Sequence, residues 1–322
     1  MNVVRMRAVG GPEVLEVARV DEPAPQAGQV LVATRVAGVG YGDVIVRSGR
    51  FPVPLPYVPG VEVGGEVVAV GPDVDPDLVG RTVVATTVGN RGGYAERTLA
   101  PAAYTFPVPD GLPLSRALTV FQAGGLAYGL LAAMRVAPGE TVLVTAAAGR
   151  IGSLLVQAAK AAGATVIGTA GGAKVAAVAG FGADHAIDHR ADGWAERARA
   201  VTGGRGADVV LDAVGGEIGA RAVDAAADGA GRVGVYGFAS GTWLSLDAMT
   251  IGRRGLTVVG PLGIVFRKPD GEQRADAERA LAEAAAGRLT PHIHATYPLA
   301  DAPAAHAEVE SRATTGAVLL AV

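Results

Sequence analysis

Seven residues, Ala146-Ala147-Ala148-Gly149-Arg150-Ile151-Gly152, constrain this chain more than any others. They follow the apolar run Thr141 to Thr145 and open the amphipathic stretch Ser153 to Ala162. Strand, glycine turn and helix in that order make the unit that binds the pyrophosphate of a dinucleotide. Gly149 lets the backbone approach the phosphates and Gly152 lets helix and strand pack closely. The helix N-terminus supplies unpaired N–H groups and a partial positive charge. Ala147 stands where the usual fingerprint has its first glycine, and such turns also serve as plain connectors. The motif therefore needs its context.

Gly163-Ala164 ends the helix, and Thr165-Val166-Ile167-Gly168-Thr169 reads as the next buried strand. The whole is a βαβ unit of about 30 residues, as a dinucleotide fold requires. An NAD site places Asp or Glu at the end of this second strand to accept from the ribose 2′-hydroxyl. Here Thr169-Ala170-Gly171-Gly172-Ala173-Lys174 holds no acid and ends in one of only three lysines in the chain. The expected cofactor is NADPH, with Lys174 near its 2′-phosphate; a solvated lysine at a helix start is the other reading.

At 322 residues the chain suits two domains of usual size. Its net charge is only −3 and its basic residues are scattered among acids, so no nucleic-acid partner is expected. Met1 to Gly11 carries Arg5 and Arg7 and no sustained apolar segment, and the apolar stretches Gly124 to Val136 and Thr141 to Ala148 are interrupted by Arg, Pro, Gly or Glu. No signal peptide and no membrane span are expected, and the protein is placed in the cytoplasm. With no cysteine, disulfides, thiolate catalysis and zinc–sulfur sites are excluded.

Residues 1 to about 115 read as β structure with many turns. Apolar alternations at Gln29 to Ala37, Glu62 to Val70 and Arg81 to Thr87 are separated by Pro/Gly-rich loops, as in a compact barrel. The loop Phe51 to Pro59 holds too many prolines for a helix or a central strand. From about Leu118 helices and strands alternate, with strands at Val142 to Thr145, Thr165 to Thr169, His185 to Ile187, Val209 to Asp212, Val233 to Tyr236 and Thr257 to Val259. That is the pattern of a doubly wound parallel sheet. The tail reads as a helix at Gln273 to Ala286, an extended piece at His294 to Tyr297, a helix at Ala302 to Glu310 and a strand at Ala317 to Val322. It is assigned back to the first domain, since so short a segment has little core of its own.

With these pieces in order the chain resembles a zinc-independent medium-chain dehydrogenase/reductase of the quinone oxidoreductase type, over nearly its full length. The carriers are Ala37-Gly38-Val39 leading to Asp43, Arg47-Ser48-Gly49, Pro59-Gly60-Val61-Glu62 and Gly71. They continue through Gly92-Gly93-Tyr94-Ala95-Glu96, the turn Ala146 to Gly152, Gly182-Ala183-Asp184, Asp212-Ala213-Val214-Gly215-Gly216 and Arg312-Ala313-Thr314-Thr315-Gly316. The resemblance implies an α/β protein with a GroES-like β-barrel catalytic domain (1–117 and 262–322) and a Rossmann cofactor domain (118–261). Zinc-dependent members carry Cys before the Asp at the position of Asp43 and a Gly-His-Glu where this chain has Gly60-Val61-Glu62. Without imidazole and thiolate no zinc is expected, and Glu62 reads as a structural acid.

The family transfers hydride from NADPH to a quinone or to the β-carbon of an enone. Its members usually place Asn, Tyr and Thr at positions that align with Gly40, Ile45 and Leu126, so all three polar groups are replaced here. Either the pocket takes a bulkier apolar acceptor, or Tyr41, Tyr57 or Gln122 supplies the hydrogen bond, or hydride transfer is not the biological role. Tyr41 and Gln122 are the expected catalytic residues, with plain loop packing as the alternative for Tyr41. Gly40, Ile45, Phe51, Tyr57 and Leu126 are expected at the substrate pocket; Tyr57, between prolines, also reads as a loop anchor, and Tyr94 as barrel packing.

For the cofactor the resemblance implies Ala147, Gly149, Arg150, Ile151 and Gly152 at the pyrophosphate, Gly172 and Lys174 at the 2′-phosphate, and His189 beside the adenosine phosphate. Val214, Gly215, Tyr236, Gly237 and Phe238 lie in sheet-end loops lining the cleft, Leu262 and Gly263 near the nicotinamide, and Arg312 toward the cofactor. His185, His292, His294 and His306 form no ligand spacing. The expected partners are a small apolar quinone or enone and a second copy of the chain, through the sheet edge at Thr257 to Val259. Two other readings stay open: a tailoring enoyl or polyketide reductase, and a non-catalytic NADPH-binding sensor or structural protein.

Overall fold

The computed structural model describes residues 1–322, which form two compact units, Met1–Gln122 with Leu281–Val322, and Ala123–Ala280. The first unit holds β1 (Asn2–Met6), β2 (Leu15–Arg19), β3 (Gln29–Val39), β4 (Glu62–Val70), β5 (Thr82–Thr86), β6 (Arg97–Pro101) and β7 (Thr105–Pro107). The second holds β8 (Thr141–Val144), β9 (Thr165–Ala170), β10 (His185–Asp188), β11 (Val209–Asp212), β12 (Arg232–Val235) and β13 (Thr257–Val259). The tail returns β14 (Ile293–Pro298) and β15 (Ala317–Ala321) to the first.

In the first unit a seven-stranded sheet runs β14-β15-β3-β4-β5-β7, with β6 also beside β3. One edge of β3 is shared: residues 29–33 pair with β6 and residues 36–39 with β15. Register shifts against β4 at Leu31/Val32 and Thr34/Val36 bend the strand where the partner changes. This curl encloses an apolar core of Val30, Val32, Val63, Val67, Val83 and Leu320. The fold is the compact barrel that the strand spacing suggested and the GroES-like unit that the resemblance implied.

The second unit is a parallel sheet in the order β10-β9-β8-β11-β12-β13. Leu143 of β8 pairs with Ile167 on one side and Val210 on the other, and all of these are buried. Continuous apolar strands are what a sheet covered on both faces requires. The order reverses between β8 and β11, so the loops after these two strands flank the crevice in which such sheets bind ligands.

Domain limits differ from those expected at 118 and 262. Helix Leu114–Ala133 carries the chain from one unit to the next, with the boundary after Gln122, and the second unit keeps residues 262–280. The reason is close packing. A Cβ on Gly125 would meet the backbone of Ala277 at 3.1 Å, and one on Gly129 would meet Val265 at 2.9 Å. The Arg279 guanidinium also lies over the Tyr128 ring, 4.0 Å from its centre. The two glycines, one helical turn apart, admit the later segment against this helix.

Candidate active site

In the second unit the turn after β8 is set by its backbone. Ala146 takes φ +49, and the Ala147 amide donates to the Thr169 carbonyl at 3.0 Å, tying the turn to the end of β9. Gly149 is the extended residue that starts helix Arg150–Ala161, with no side-chain cap. The first amides of a helix have no acceptor within it, which makes such a start suited to an anion. A Cβ on Gly152 would stand 2.2 Å from the Ala146 carbonyl oxygen, whereas one on Gly149 would approach that atom only to 3.3 Å. Gly152 therefore serves helix-to-turn packing and Gly149 leaves a bare backbone. Ala147 is buried, and its methyl would meet a Cβ on Gly168 at 3.1 Å, so its side chain fills the contact between turn and β9.

Past β9, Gly172 takes φ +55 in the short turn that carries Lys174. Arg190, which sequence reading did not single out, lies against the same backbone: a Cβ on Gly171 would meet its Nε at 2.5 Å. Asp188 accepts from the Arg190 amide at 2.9 Å and so shapes this turn. His189 is half-buried between them, with its amide on the Ala170 carbonyl and a buried Nδ1 that lacks a partner. Burial lowers its pKa, and the charges of Arg190 and Lys174 lower it further against the pull of Asp188. A neutral imidazole and two cations thus meet at the end of β9, with Asp188 directed to the backbone. The signal for Arg190 was present in sequence only as its place directly after His189.

Asp212, at the end of β11, holds the other side of the crevice. Its carboxylate accepts from the Val214 and Gly215 amides, each at 3.0 Å, and from Thr145 Oγ1 at 2.8 Å. Burial raises its pKa against those hydrogen bonds. One fully buried acid therefore fixes both switch-point loops, a role that the motif Asp212 to Gly216 contained and sequence reading left unassigned. The loop then packs on its neighbour: Ala239 and Ser240 amides reach the Ala213 and Val214 carbonyls, and a Cβ on Gly237 would meet the Ala213 oxygen at 2.7 Å. Tyr236 is buried with its hydroxyl unpaired, and burial raises its pKa. Phe238 stacks on Trp243 at 4.5 Å. Leu262 and Gly263 lie in the short helix Pro261–Val265, and Leu126 is half-buried in the long helix.

In the first unit Gly40 starts helix Tyr41–Arg47, and Asp43 braces it. The Asp43 carboxylate accepts from the Gly40 amide at 2.9 Å and from the Gly60 amide at 3.1 Å. Glu62 is buried, with an oxygen 2.2 Å from where a Cβ of Gly38 would stand, so a side chain there would have to displace the Glu62 carboxylate. No group of three or more His, Cys, Asp or Glu side chains could hold a metal ion. Val61 occupies the histidine position, and Asp43 is committed to the backbone.

Tyr41 stands at the start of the helix with Arg50 across it, both guanidinium Nη atoms 3.4 Å from the phenol oxygen. Burial raises the Tyr41 pKa, but hydrogen bonds and charge from Arg50 and Arg312 outweigh it and set the phenol below its ordinary value. Arg312, expected at the cofactor, is thus brought to Tyr41. Gln122 donates to Thr86 Oγ1 at 2.7 Å, which fixes its amide at the end of β5. Ile45 is half-buried on the same helix and Phe51 is exposed in its loop. Tyr57 belongs to the core and donates to the Asn90 carbonyl at 3.3 Å, the contacts of a loop anchor. Tyr94 is fully buried, edge-on to His306 and hydrogen-bonded to its Nε2 at 3.0 Å.

Two family profiles match the chain: one described as alcohol dehydrogenase GroES-like domain over residues 26–110, the other as zinc-binding dehydrogenase over residues 181–320. Quinone oxidoreductase from Pseudomonas aeruginosa is 34% identical, over 98% of this chain and 98% of its own. The chain belongs to the zinc-independent quinone oxidoreductase family of medium-chain dehydrogenases/reductases. It is an oxidoreductase. A 2-haloacrylate reductase from a Burkholderia species is 33% identical over 97% of this chain and 96% of its own. The structure of Escherichia coli quinone oxidoreductase complexed with NADPH superposes with a TM-score of 0.92, at 30% identity and over all of both chains. The zinc in one profile's description has no ligand set in this member of the quinone oxidoreductases.

Proposed function

We propose that the protein is an NADPH-dependent, metal-free reductase that delivers hydride to a quinone or an α,β-unsaturated carbonyl compound. The observation that carries the reading is the end of β9: no acid for a ribose 2′-hydroxyl, and instead Lys174 and Arg190 about a glycine backbone. The bare cradle of Gly149 and Gly152 fits a pyrophosphate, and the helix amides of Arg150, Ile151 and Gly152 would hold it. Quinone oxidoreductase of Escherichia coli, with the same fold, is a complex with NADPH. When bound, the cofactor supplies two electrons as hydride.

The chain's own residues do the rest. Hydride addition to the β-carbon of an enone leaves an enolate, which a proton completes; a quinone takes hydride and proton to become the hydroquinone. In this reading Tyr41 and Gln122 would donate to the acceptor oxygen as negative charge develops there. Ile45 and Phe51 would supply apolar contact and displace water. Apolar side chains at Ile45 and Leu126 also favour a second reading, a reductase dedicated to one enoyl intermediate. No helix is long and apolar enough to cross a membrane; action in the cytoplasm is part of this proposal.

Stopped-flow oxidation of NADPH and NADH with a panel of quinones and enones tests the reading. Turnover with NADPH preference is expected; no turnover with any acceptor would overturn it. We also propose that the protein is a homodimer. Strand β13 pairs only with β12, its Val258 is 41% exposed, and Trp243, Met249, Ile264 and Phe266 of the same unit are exposed as well. An unprotected sheet edge with exposed apolar side chains favours self-association. Sedimentation of the wild type and of Val258→Glu decides it, the variant being expected to run as a monomer.

A further inference from the structure

Helix Tyr41–Arg47 has seven residues, too few for a helix to persist by itself in water. Its direction therefore comes from what grips its two ends. At the last residue Arg47 is 1% exposed, and its Nη2 donates to the Glu310 carboxylate of the tail at 2.7 Å. Its Nε and Nη1 are buried without partners. A buried guanidinium is costly wherever its charge is unmatched, so Glu310 is the contact on which this side chain depends.

The same tail helix reaches the other end by a second route. In Ala302–Ser311, His306 and Glu310 stand one turn apart on one face. His306 Nε2 and the Tyr94 hydroxyl are hydrogen-bonded at 3.0 Å, and the Tyr94 ring lies against Gly60, where a Cβ would come within 2.7 Å of it. The Gly60 amide donates to Asp43 at 3.1 Å, and Asp43 accepts at 2.9 Å from the amide of Gly40, the residue before Tyr41. One face of the tail helix thus holds the helix start through Tyr94, Gly60 and Asp43, and the helix end through Arg47. Ala302 and Ala305 of the tail helix are fully buried in the core that also takes Tyr94.

We propose that Arg47 and Glu310 are positioning residues for the acceptor: through them the tail helix orients helix Tyr41–Arg47, and with it the Tyr41 phenol. Tyr41 leads that helix and is half-buried, with Arg50 from the same segment 3.4 Å from its oxygen, so the place of the phenol follows that of the helix. A displacement of about 1 Å at a group that donates to a reacting oxygen is enough to cost a large factor in rate. Arg47, being buried, acts through the helix and not by contact with the acceptor. The assignment rests on the reductase reading above, with Tyr41 as donor.

Arg47→Met tests it, because it removes the buried charge with little change of volume and leaves the half-exposed Glu310 to water. With NADPH and 1,4-naphthoquinone, kcat/KM for the quinone is expected to fall about tenfold, while the NADPH dissociation constant stays within about twofold. In a Tyr41→Phe background the same substitution should cost less than about twofold, since its effect passes through that hydroxyl. Glu310→Gln, which keeps an acceptor oxygen, should lose less, and it carries the same comparison if Arg47→Met does not fold. An unchanged kcat/KM overturns the proposal, as does an equal loss with and without the Tyr41 hydroxyl. Hydrogen exchange of residues 40–50, read by mass spectrometry, separates the two readings when no acceptor of the panel oxidises NADPH. Faster exchange there in Arg47→Met, with residues 141–152 unchanged, keeps the grip of the tail on the helix while the reductase reading falls. Unchanged exchange at 40–50 overturns the positioning role whatever the turnover.

Discussion

The phosphate turn after β8 and the corner around Tyr41 solve opposite problems. The turn works by removing side chains: Gly149 and Gly152 are there for what they lack, and the atoms that meet them are backbone atoms a few residues away. The corner works by gathering side chains: Tyr41 at a helix start, Arg50 beyond the end of that helix, and Glu310 of the tail on Arg47. A site made of absent side chains is written in one short segment. A site made of long ones depends on tertiary folding to assemble it.

The largest effect is expected where the backbone leaves no room. In Gly152→Ala the new methyl falls 2.2 Å from the Ala146 carbonyl oxygen, and no flexible side chain can yield. Helix and turn must separate, at a cost of about 3 kcal/mol or more. Chemical denaturation should show the loss, and NADPH binding should fall with it. A variant of near wild-type stability would break the account of the turn.

The next effect is on acid stability, and it comes from the buried first-unit core. His306 is fully buried between Tyr94 and Arg47; burial first, then the Arg47 charge, holds its pKa down at about 3. Unfolded, a histidine titrates near 6.5. Below that pH the unfolded chain takes up a proton that the folded one refuses, so stability rises with pH across this window. The contribution is complete above about 6.5 and is lost as pH falls toward 3. Unfolding free energies of wild type and His306→Gln at pH 7, 5.5 and 4 should diverge by a slope approaching one proton. Parallel curves would show that the imidazole does not titrate on unfolding.

These cases also show how much the sequence disclosed. The central parallel strands were legible because both-face burial makes them unbroken apolar runs, as at Val142 to Val144 and Val209 to Leu211. The glycine turn between β8 and its helix was legible because its pattern is local. Arg190 and Arg50 were not, although each directly follows a recognised motif, because an arginine's role lies in where its long side chain lands. Asp212 was in view as a motif and hidden as a brace, since its partners Thr145 and Val214 belong to different loops. The late boundary after Ala280 was hidden for the same reason: Gly125 and Gly129 look like helix-weakening residues until Ala277 and Val265 are seen against them.

A smaller effect separates the two cations at the end of β9. Lys174→Ala should weaken NADPH by about tenfold and leave NADH within a factor of two, because a phosphate contact is worth roughly 1.5–3 kcal/mol when charge-assisted. Arg190→Ala should lower the NADPH to NADH preference by less, since its guanidinium is exposed and screened. Fluorescence titration with both nucleotides measures each ratio. Equal weakening of NADPH and NADH by Lys174→Ala would remove the 2′-phosphate assignment and return the lysine to a solvated helix start.

The smallest stability change is expected at the other glycine of the turn, and it sharpens the comparison most. In Gly149→Ala the methyl meets a single atom, the Ala146 oxygen at 3.3 Å, and the residue already has an extended conformation open to alanine, φ −76 and ψ 173. Folding should change by less than about 1 kcal/mol. NADPH affinity should nevertheless drop about tenfold, because the methyl stands where a phosphate approaches the helix amides. The two substitutions then separate what one motif joins: Gly152 acts through the fold and Gly149 through the ligand. Were Gly149→Ala to bind NADPH as the wild type does, the bare backbone at Gly149 would be a matter of turn geometry, and the helix amides alone would carry the phosphate.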